Sequence, residues 1–319
     1  MRVVFAGTPA VALPSLQALV ASGHEVVAVV TRPDSPRGRS KRPMPSEVAA
    51  WASEAGIPVL KPAHPRDEDF AAELTALAPD ACAVVAYGAL IPQRVLDIPA
   101  YGWVNLHFSL LPRWRGAAPV QRAIMAGDDV TGATTFLLVP ELDAGPVFGT
   151  VELALTGTET AGEVLATLAT DGATLLLDTI DRLADVDPIP QLTTGPDGSS
   201  LLTPAPKIAV DEARLDWTTD AVTLDRIVRG CSPEPMAWTT LRTPDASADG
   251  LGERFKIALG RVSDAADLRP GQVRSEKRRV LVGTGTTALE LIRVQPQGKK
   301  EMAGADWARG LRGADVRFA

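Results

Sequence analysis

Residues 81–109 read ACAVVAYGALIPQRVLDIPAYGWVNLHFS, and this stretch decides the fold. Its two apolar segments, 81–87 and 103–109, have the length and composition of strands buried on both faces of a sheet. Outward from this stretch, segments with helical periodicity alternate with further apolar segments, which occupy residues 3–6, 25–30, 57–60 and 133–139. The alternation predicts an α/β domain built on a doubly wound, mostly parallel, Rossmann-like sheet.

A second domain is indicated by a change in residue composition and in the spacing of apolar residues after residue 183. Residues 183–206 are rich in Pro, Thr, Asp and Gly, which is typical of a linker. One helical segment and several short strand-like runs with turn signals follow, and they predict a small OB-like β-barrel. We therefore expect a catalytic domain at residues 1–189, a linker at 190–206 and a barrel domain at 207–319.

Composition narrows the class of protein. The 319-residue chain is 45% hydrophobic and 22% charged with a net charge of −7, an ordinary balance for a soluble protein. Residues 1–206 carry 13 basic and 23 acidic side chains, whereas the remainder carries 19 and 16, a weak indication of a polyanionic partner. Apolar runs are too short to span a membrane. Two cysteines and three histidines without metal-ligand spacing predict reduced thiols in a cytoplasmic protein and no metal site.

A basic loop follows the second predicted strand. Residues 31–46 read TRPDSPRGRSKRPMPS, with five cations, one acid and four prolines that prevent a helix. The loop lies at the carboxyl edge of the predicted sheet, where ligands bind in such folds. A solvated surface loop is the ordinary interpretation, but five cations in an otherwise acidic domain favour a phosphate-binding role.

Candidate catalytic residues lie at the same edge. In a strand over 103–109, side chains alternate, so Asn105 and His107 share one face. Asp143 follows the next predicted strand, and adjacent parallel strands would deliver it beside His107. An amide and an imidazole can donate to an oxyanion while a carboxylate manages a proton, which indicates chemistry at a carbonyl.

Each of these residues also has an ordinary structural interpretation, and other functions stay open. A hydrolase could use Ser109 as nucleophile with His107 and Asp143, although the strained G-x-S-x-G turn is absent. A non-catalytic RNA-binding protein is a further alternative. Neither G-x-G-x-x-G nor G-x-x-x-x-G-K-[ST] occurs, which argues against dinucleotide or ATP binding.

The motif Asn105-x-His107-x-Ser109-Leu110-Leu111-Pro112-x-x-Arg115-Gly116, followed by Leu142-Asp143-x-Gly145, resembles the signature of the folate-dependent formyltransferases. The basic loop and the segments Ala205-Pro206-Lys207-Ile208 and Gln295-Pro296-x-Gly298-Lys299-Lys300 are similar to the members that act on methionyl-tRNA. Cys231-Ser232 departs from the aromatic-Asn pair more usual before Pro233, which affects packing in the second domain.

The resemblance implies that 10-formyltetrahydrofolate donates a formyl group to the α-amino group of initiator methionyl-tRNA. It assigns catalysis to Asn105, a protonated His107 and Asp143. It places the folate against Ser109, Leu110, Leu111, Pro112, Ala86, Tyr87, Gly88 and Leu90. It places the tRNA against Arg37, Arg39, Lys41, Arg42, Lys207, Lys299 and Lys300. An amino sugar or a ribonucleotide is the alternative acceptor, and we expect a cytoplasmic monomer without a metal.

Overall fold

The computed structural model describes residues 1–36, 42–242, 252–311 and 316–319. Its contacts divide the chain into two compact units. The first comprises Met1–Ala117, Val130–Ala154 and Leu165–Ala205, and the second comprises Ala118–Asp129, Leu155–Val164 and Pro206–Ala319. The second unit thus includes two segments from the predicted 1–189 range, and the boundaries 1–189, 190–206 and 207–319 stay a prediction.

Short strands and helices alternate along most of the chain. Up to residue 126 the elements are β1 (Arg2–Gly7), α1 (Leu13–Ala21), β2 (Glu25–Val30), β3 (Ser35–Pro36), β4 (Pro43–Met44), α2 (Glu47–Glu54), β5 (Val59–Leu60), α3 (Glu68–Leu77), β6 (Ala81–Val85), α4 (Gln93–Leu96), β7 (Trp103–His107), β8 (Arg115–Gly116) and α5 (Pro119–Ala126). The remainder are β9 (Val130–Leu137), β10 (Val147–Ala154), α6 (Ala161–Asp181), β11 (Pro204–Ala205), α7 (Ala221–Gly230), β12 (Ala237–Arg242), β13 (Glu253–Ser263), β14 (Val273–Ser275), β15 (Val280–Gly283), β16 (Ala288–Pro296), β17 (Met302–Ala303), α8 (Gly304–Gly310) and β18 (Arg317–Phe318).

The sheet of the first unit has the strand order β10-β9-β7-β6-β1-β2-β5. The five strands from β7 to β5 pair in parallel. All residues of β6 and nearly all of β1 are buried, as expected for strands covered on both faces. The predicted doubly wound, mostly parallel sheet is confirmed.

The expected orientation of the strand that precedes Asp143 is wrong. β9 pairs with β7 antiparallel, with Val104 opposite Leu137 and His107 opposite Thr134. β9 therefore ends beside the start of β7, and the chain has to turn back to bring Asp143 to His107. Sequence periodicity does not distinguish the two orientations, because a strand buried on both faces is apolar in either one.

Several element boundaries agree with the sequence pattern. β2 occupies the predicted residues 25–30. Helical periodicity predicts a helix over 68–77 and an apolar run predicts a strand over 280–283, and α3 and β15 occupy these residues. α2 begins after Ser46, whose hydroxyl accepts a hydrogen bond from Ala49 N at 3.1 Å. β6 ends two residues earlier than expected because Ala86 has a left-handed backbone with φ of +48°. The strand predicted at 103–109 likewise ends at His107.

The second unit contains an antiparallel sheet in the order β14-β15-β16-β13-β12-β18, with β17 on β16. A bridge between Gln272 and Arg317 joins its two ends, so the sheet is a nearly closed barrel. The barrel core is aromatic, with Phe255 contacting both Trp307 and Phe318, and with Trp217 stacked on Phe318 at 5.6 Å between ring centres. The predicted small barrel is confirmed.

Three further features concern cysteines, metals and membranes. Cys82 and Cys231 are both buried free thiols, and burial raises the pKa of each, for Cys231 to about 11. Within the described ranges, we find no group of three or more His, Cys, Asp or Glu side chains arranged to hold a metal ion. In the same ranges, none of the helices has the length and apolar character needed to cross a membrane.

Candidate active site

His107 is the last residue of β7 and Asn105 lies two residues earlier on the same strand face. The His107 ring is almost fully buried, with its edge toward Phe136 of β9 at 6.4 Å between ring centres. Asn105 is half-buried, and its side-chain amide forms no hydrogen bond with the part of the chain that the structure describes. Asn105 is therefore free to donate to a bound substrate.

The two ring nitrogens of His107 have different surroundings. Nε2 donates to the carbonyl oxygen of Trp114 at 2.9 Å, which fixes the orientation of the ring. Nδ1 lies 3.8 Å from Oδ2 of Asp143, a distance longer than a direct hydrogen bond. The open side of the imidazole thus faces the carboxylate, and the two groups together can hold one proton.

The pKa of His107 is lowered from its ordinary value because burial disfavours the charged ring, and this outweighs the raising effects of Asp143 and the Trp114 carbonyl. This direction is opposite to the expectation of a protonated His107. A lowered pKa favours the neutral ring, and a neutral imidazole beside a carboxylate can accept a proton.

Asp143 is held by its neighbours in an unusual conformation. Its backbone φ of +49° lies in the left-handed region that non-glycine residues rarely adopt. Oδ2 accepts a hydrogen bond from Gly116 N at 2.8 Å, and Gly116 itself has φ of +129°. A side chain at Gly116 would also meet the Ala205 carbonyl oxygen at 2.6 Å, so glycine is required where the chain supports the carboxylate.

Gly145 allows the loop that carries Asp143 to turn back tightly. A Cβ at this position would lie 1.7 Å from the carbonyl oxygen of Leu137, at the end of β9. The Asp-x-Gly spacing in the sequence therefore has a steric origin, since the turn that returns Asp143 to His107 needs a residue without a side chain.

Gly145→Ala is expected to lower the free energy of unfolding by about 3 kcal/mol, because the added methyl group must displace the turn. Denaturant unfolding measures this, and activity at this site should fall as Asp143 moves. Gly23→Ala is the matched control, since nothing lies within 4 Å of a Cβ built there. Equal stability of the two variants would contradict the close approach.

Ser109 does not have the surroundings of a nucleophile. Its hydroxyl is fully buried and donates to the carbonyl oxygen of Arg113 at 2.6 Å rather than to His107. Its own carbonyl accepts from Thr134 Oγ1 at 2.6 Å, which anchors the loop after β7 to β9. Ser109 therefore shapes the loop that contains Leu110, Leu111 and Pro112, and the geometry gives the hydrolase alternative no support.

The segment predicted to bind folate follows β6, the strand beside β7. Ala86 and Gly88 are exposed, Tyr87 is buried and the Leu90 side chain is 75% exposed. Leu90 lines a cavity of about 490 Å³, together with apolar residues of the same loop and with Arg32, His64 and Arg66. This volume is in the range of small-molecule sites.

The predicted tRNA-binding residues are only partly described. Arg37, Arg39 and Lys41 lie outside the described residues. Arg42, Lys207, Lys299 and Lys300 are exposed. The barrel carries a further cationic feature that the sequence did not suggest: Arg214 and Arg254 both contact the Trp238 ring, at 5.5 Å and 4.2 Å from its centre.

Four residues that hold the candidate catalytic groups were not assigned these roles by sequence reasoning. Trp114 acts through its carbonyl and Gly116 through its N–H, and their place in the Arg-Trp-Arg-Gly run after Pro112 was the only available signal. Gln191 and Thr203 lie in the stretch predicted as a linker, where composition indicates no contact with a site.

The family profile described as formyl transferase matches residues 1–180, and the profile of the formyl transferase C-terminal domain matches residues 207–312. The chain therefore belongs to the formyl transferase family. Its full-length relatives place it among the methionyl-tRNA formyltransferases.

Two relatives illustrate the similarity. The methionyl-tRNA formyltransferase of Streptomyces coelicolor is 56% identical over 316 residues, covering 98% of this chain and 97% of the relative. That of Mycolicibacterium gilvum is 52% identical over 323 residues and covers both chains fully. Similarity at this level over the whole length extends to both units.

Solved structures with lower identity share the fold. HypX from Aquifex aeolicus in complex with tetrahydrofolic acid has a TM-score of 0.64 at 19% identity, over 98% of this chain and 48% of that one. The sugar 3N-formyl transferase WlaRD has a TM-score of 0.64 at 13% identity, over 94% of this chain and 99% of that one.

Proposed function

We propose that this protein transfers the formyl group of 10-formyltetrahydrofolate to the α-amino group of methionine on initiator tRNA, giving formylmethionyl-tRNA for translation initiation. The observation that carries the proposal is the His107–Asp143 pair, with His107 on the strand that also carries Asn105, whose amide has no hydrogen bond within the described ranges. The full-length relatives of the chain are methionyl-tRNA formyltransferases. The proposal extends to a cytoplasmic monomer with a catalytic domain at 1–189, a linker at 190–206 and a tRNA-binding barrel at 207–319.

The chemistry follows from the geometry of the pair. An α-amino group has a pKa of about 8, so part of the amine is neutral and nucleophilic at neutral pH. Its nitrogen attacks the formyl carbon, and the oxygen becomes an oxyanion to which the Asn105 amide donates. His107 and Asp143 take up the proton that the amine loses. The bond from the carbon to N10 then breaks, and the same proton passes to N10 of tetrahydrofolate.

We assign the formyl donor, the folate, and the formyl acceptor, the tRNA, to different surfaces of the protein. The cavity lined by Leu90 and its neighbours has a suitable size for part of the folate, and Leu90 belongs to the loop after β6, the strand that pairs with β7. The cations of the basic loop and the exposed cations of the barrel supply phosphate contacts, which carry most of the affinity of such complexes. Arg214 and Arg254, which both contact the Trp238 ring, add positive charge to the barrel.

The decisive experiment is a formylation assay with the purified chain, 10-formyltetrahydrofolate and charged initiator tRNA. Free methionine and a nucleotide-linked amino sugar are tested as alternative acceptors, each in a separate reaction. Product on methionyl-tRNA alone is the expected result. Formylation of the amino sugar in preference to the tRNA would overturn the assignment of the acceptor while leaving the catalytic residues in place.

Turnover with tRNA is expected to depend steeply on salt. With on the order of five phosphate contacts, kcat/KM should fall about 10²-fold or more between roughly 50 and 200 mM monovalent salt. The slope of log kcat/KM against log salt measures the number of contacts, and Arg39→Ala should reduce it by about one. A response that is flat across this range would indicate a small acceptor instead.

A further inference from the structure

Gln191 makes four hydrogen bonds around the candidate active site, although it lies in the predicted linker. Its Nε2 donates to the carbonyl oxygens of Asp143 at 2.9 Å and Gly145 at 2.8 Å. Its Oε1 accepts from Arg115 Nε at 3.2 Å and Nη2 at 2.7 Å. Donors therefore face acceptors at both ends of the amide, so its partners set its orientation.

These bonds form a closed hydrogen-bonded circuit that includes the carboxylate of Asp143. Gln191 holds the carbonyl of Asp143, while Arg115, bonded to the same amide, precedes the Gly116 N–H that binds Oδ2. A left-handed aspartate persists only where its surroundings hold it. The position of Oδ2 relative to His107 is thus determined from the backbone side by Gln191 and from the carboxylate side by Gly116.

The same segment also supports the partner of His107. Thr203 Oγ1 accepts from Trp114 N at 2.8 Å, and the Thr203 carbonyl accepts from Arg115 N at 3.0 Å. Trp114 in turn provides the carbonyl that binds His107 Nε2. The stretch from 191 to 203 therefore contacts the residues that hold both members of the proton-accepting pair.

We propose that Gln191 is a positioning residue for formyl transfer, which holds the Asp143 carboxylate against His107 through its two carbonyl bonds and its contact with Arg115. The inference rests on the proposed function, since it assigns Gln191 to the reaction that Asp143 and His107 perform. Gln191 acts through these residues and does not touch the reacting atoms.

Gln191→Met provides a sharp test, because methionine has nearly the same shape but neither donates nor accepts these bonds. The backbone of the segment should stay in place, since Ile189 and Val147 exchange hydrogen bonds of 2.7 and 2.8 Å. We expect kcat for methionyl-tRNA to fall about 10- to 100-fold through misplacement of Asp143, with KM for both substrates within about threefold.

A second measurement separates positioning from general destabilisation. The chain has three histidines, so the ring of His107 can be followed by NMR as the pH is changed. Because Asp143 raises the pKa of His107, displacement of the carboxylate in Gln191→Met should lower that pKa further. Gln17→Met, at an exposed position of α1, is the matched control and should match the wild type in both measurements.

The outcomes distinguish this inference from the proposed function. A wild-type protein that does not formylate methionyl-tRNA contradicts the proposed function itself. If the wild type is active, and Gln191→Met has the same kcat and the same His107 titration as the wild type, the role of Gln191 is overturned. If the activity of Gln191→Met falls only in proportion to the fraction of folded protein, and the His107 titration is unchanged, Gln191 has a structural role. That result would also overturn the proposed positioning role.

Discussion

Asp143→Asn is expected to lower kcat by about 10³-fold while leaving the fold intact. Asparagine tolerates the left-handed backbone at this position, and its side-chain oxygen can still accept the hydrogen bond from Gly116 N. What is lost is the negative charge 3.8 Å from His107 Nδ1, and with it the capacity of the pair to take up the amine proton.

Steady-state formylation of methionyl-tRNA measures this effect, and tRNA affinity from a direct binding assay should remain at the wild-type value. The His107 pKa should fall further, because Asp143 raises it in the native protein. A variant that retains kcat within about threefold would exclude Asp143 from proton transfer. A parallel loss of tRNA binding would instead point to a binding role.

Asn105→Ala is expected to lower kcat by about 10²- to 10³-fold, the usual effect of removing one oxyanion donor. The Asn105 amide forms no hydrogen bond within the described chain and is half-buried, so its removal leaves no protein group without a partner. The unfolding midpoint in denaturant should therefore change little. Loss of activity without loss of stability distinguishes a catalytic donor from a structural amide.

Asn105→Asp provides the complementary measurement, since it keeps the shape but replaces the donor with a negative charge. Its kcat should be at or below that of Asn105→Ala, because a carboxylate repels the developing oxyanion. Retention of activity by either one would remove Asn105 from the mechanism.

Local elements could be predicted from sequence where a short pattern specifies them. β2, α3 and β15 have the predicted residues, because apolar runs, turn signals and helical periodicity act within a few positions. The Asn-x-His spacing also placed two site residues on one strand face, since side chains alternate along any strand.

The route by which Asp143 reaches His107 could not be predicted in the same way. β9 runs antiparallel to β7, and the return of the chain depends on the contact between Gly145 and the Leu137 carbonyl. Strand orientation is decided by partners distant in sequence, and a strand buried on both faces has no pattern that reveals it.

Chain composition and the motifs around Asn105, His107 and Asp143 were sufficient for the sheet, the barrel and chemistry at a carbonyl, because each depends on local patterns or on residue type. Tertiary structure alone decided two properties of the site. Burial lowers the pKa of His107 and so favours its neutral form, since desolvation outweighs the charge of Asp143. Gln191 contacts Asp143 across 48 positions, a proximity that only the folded chain creates.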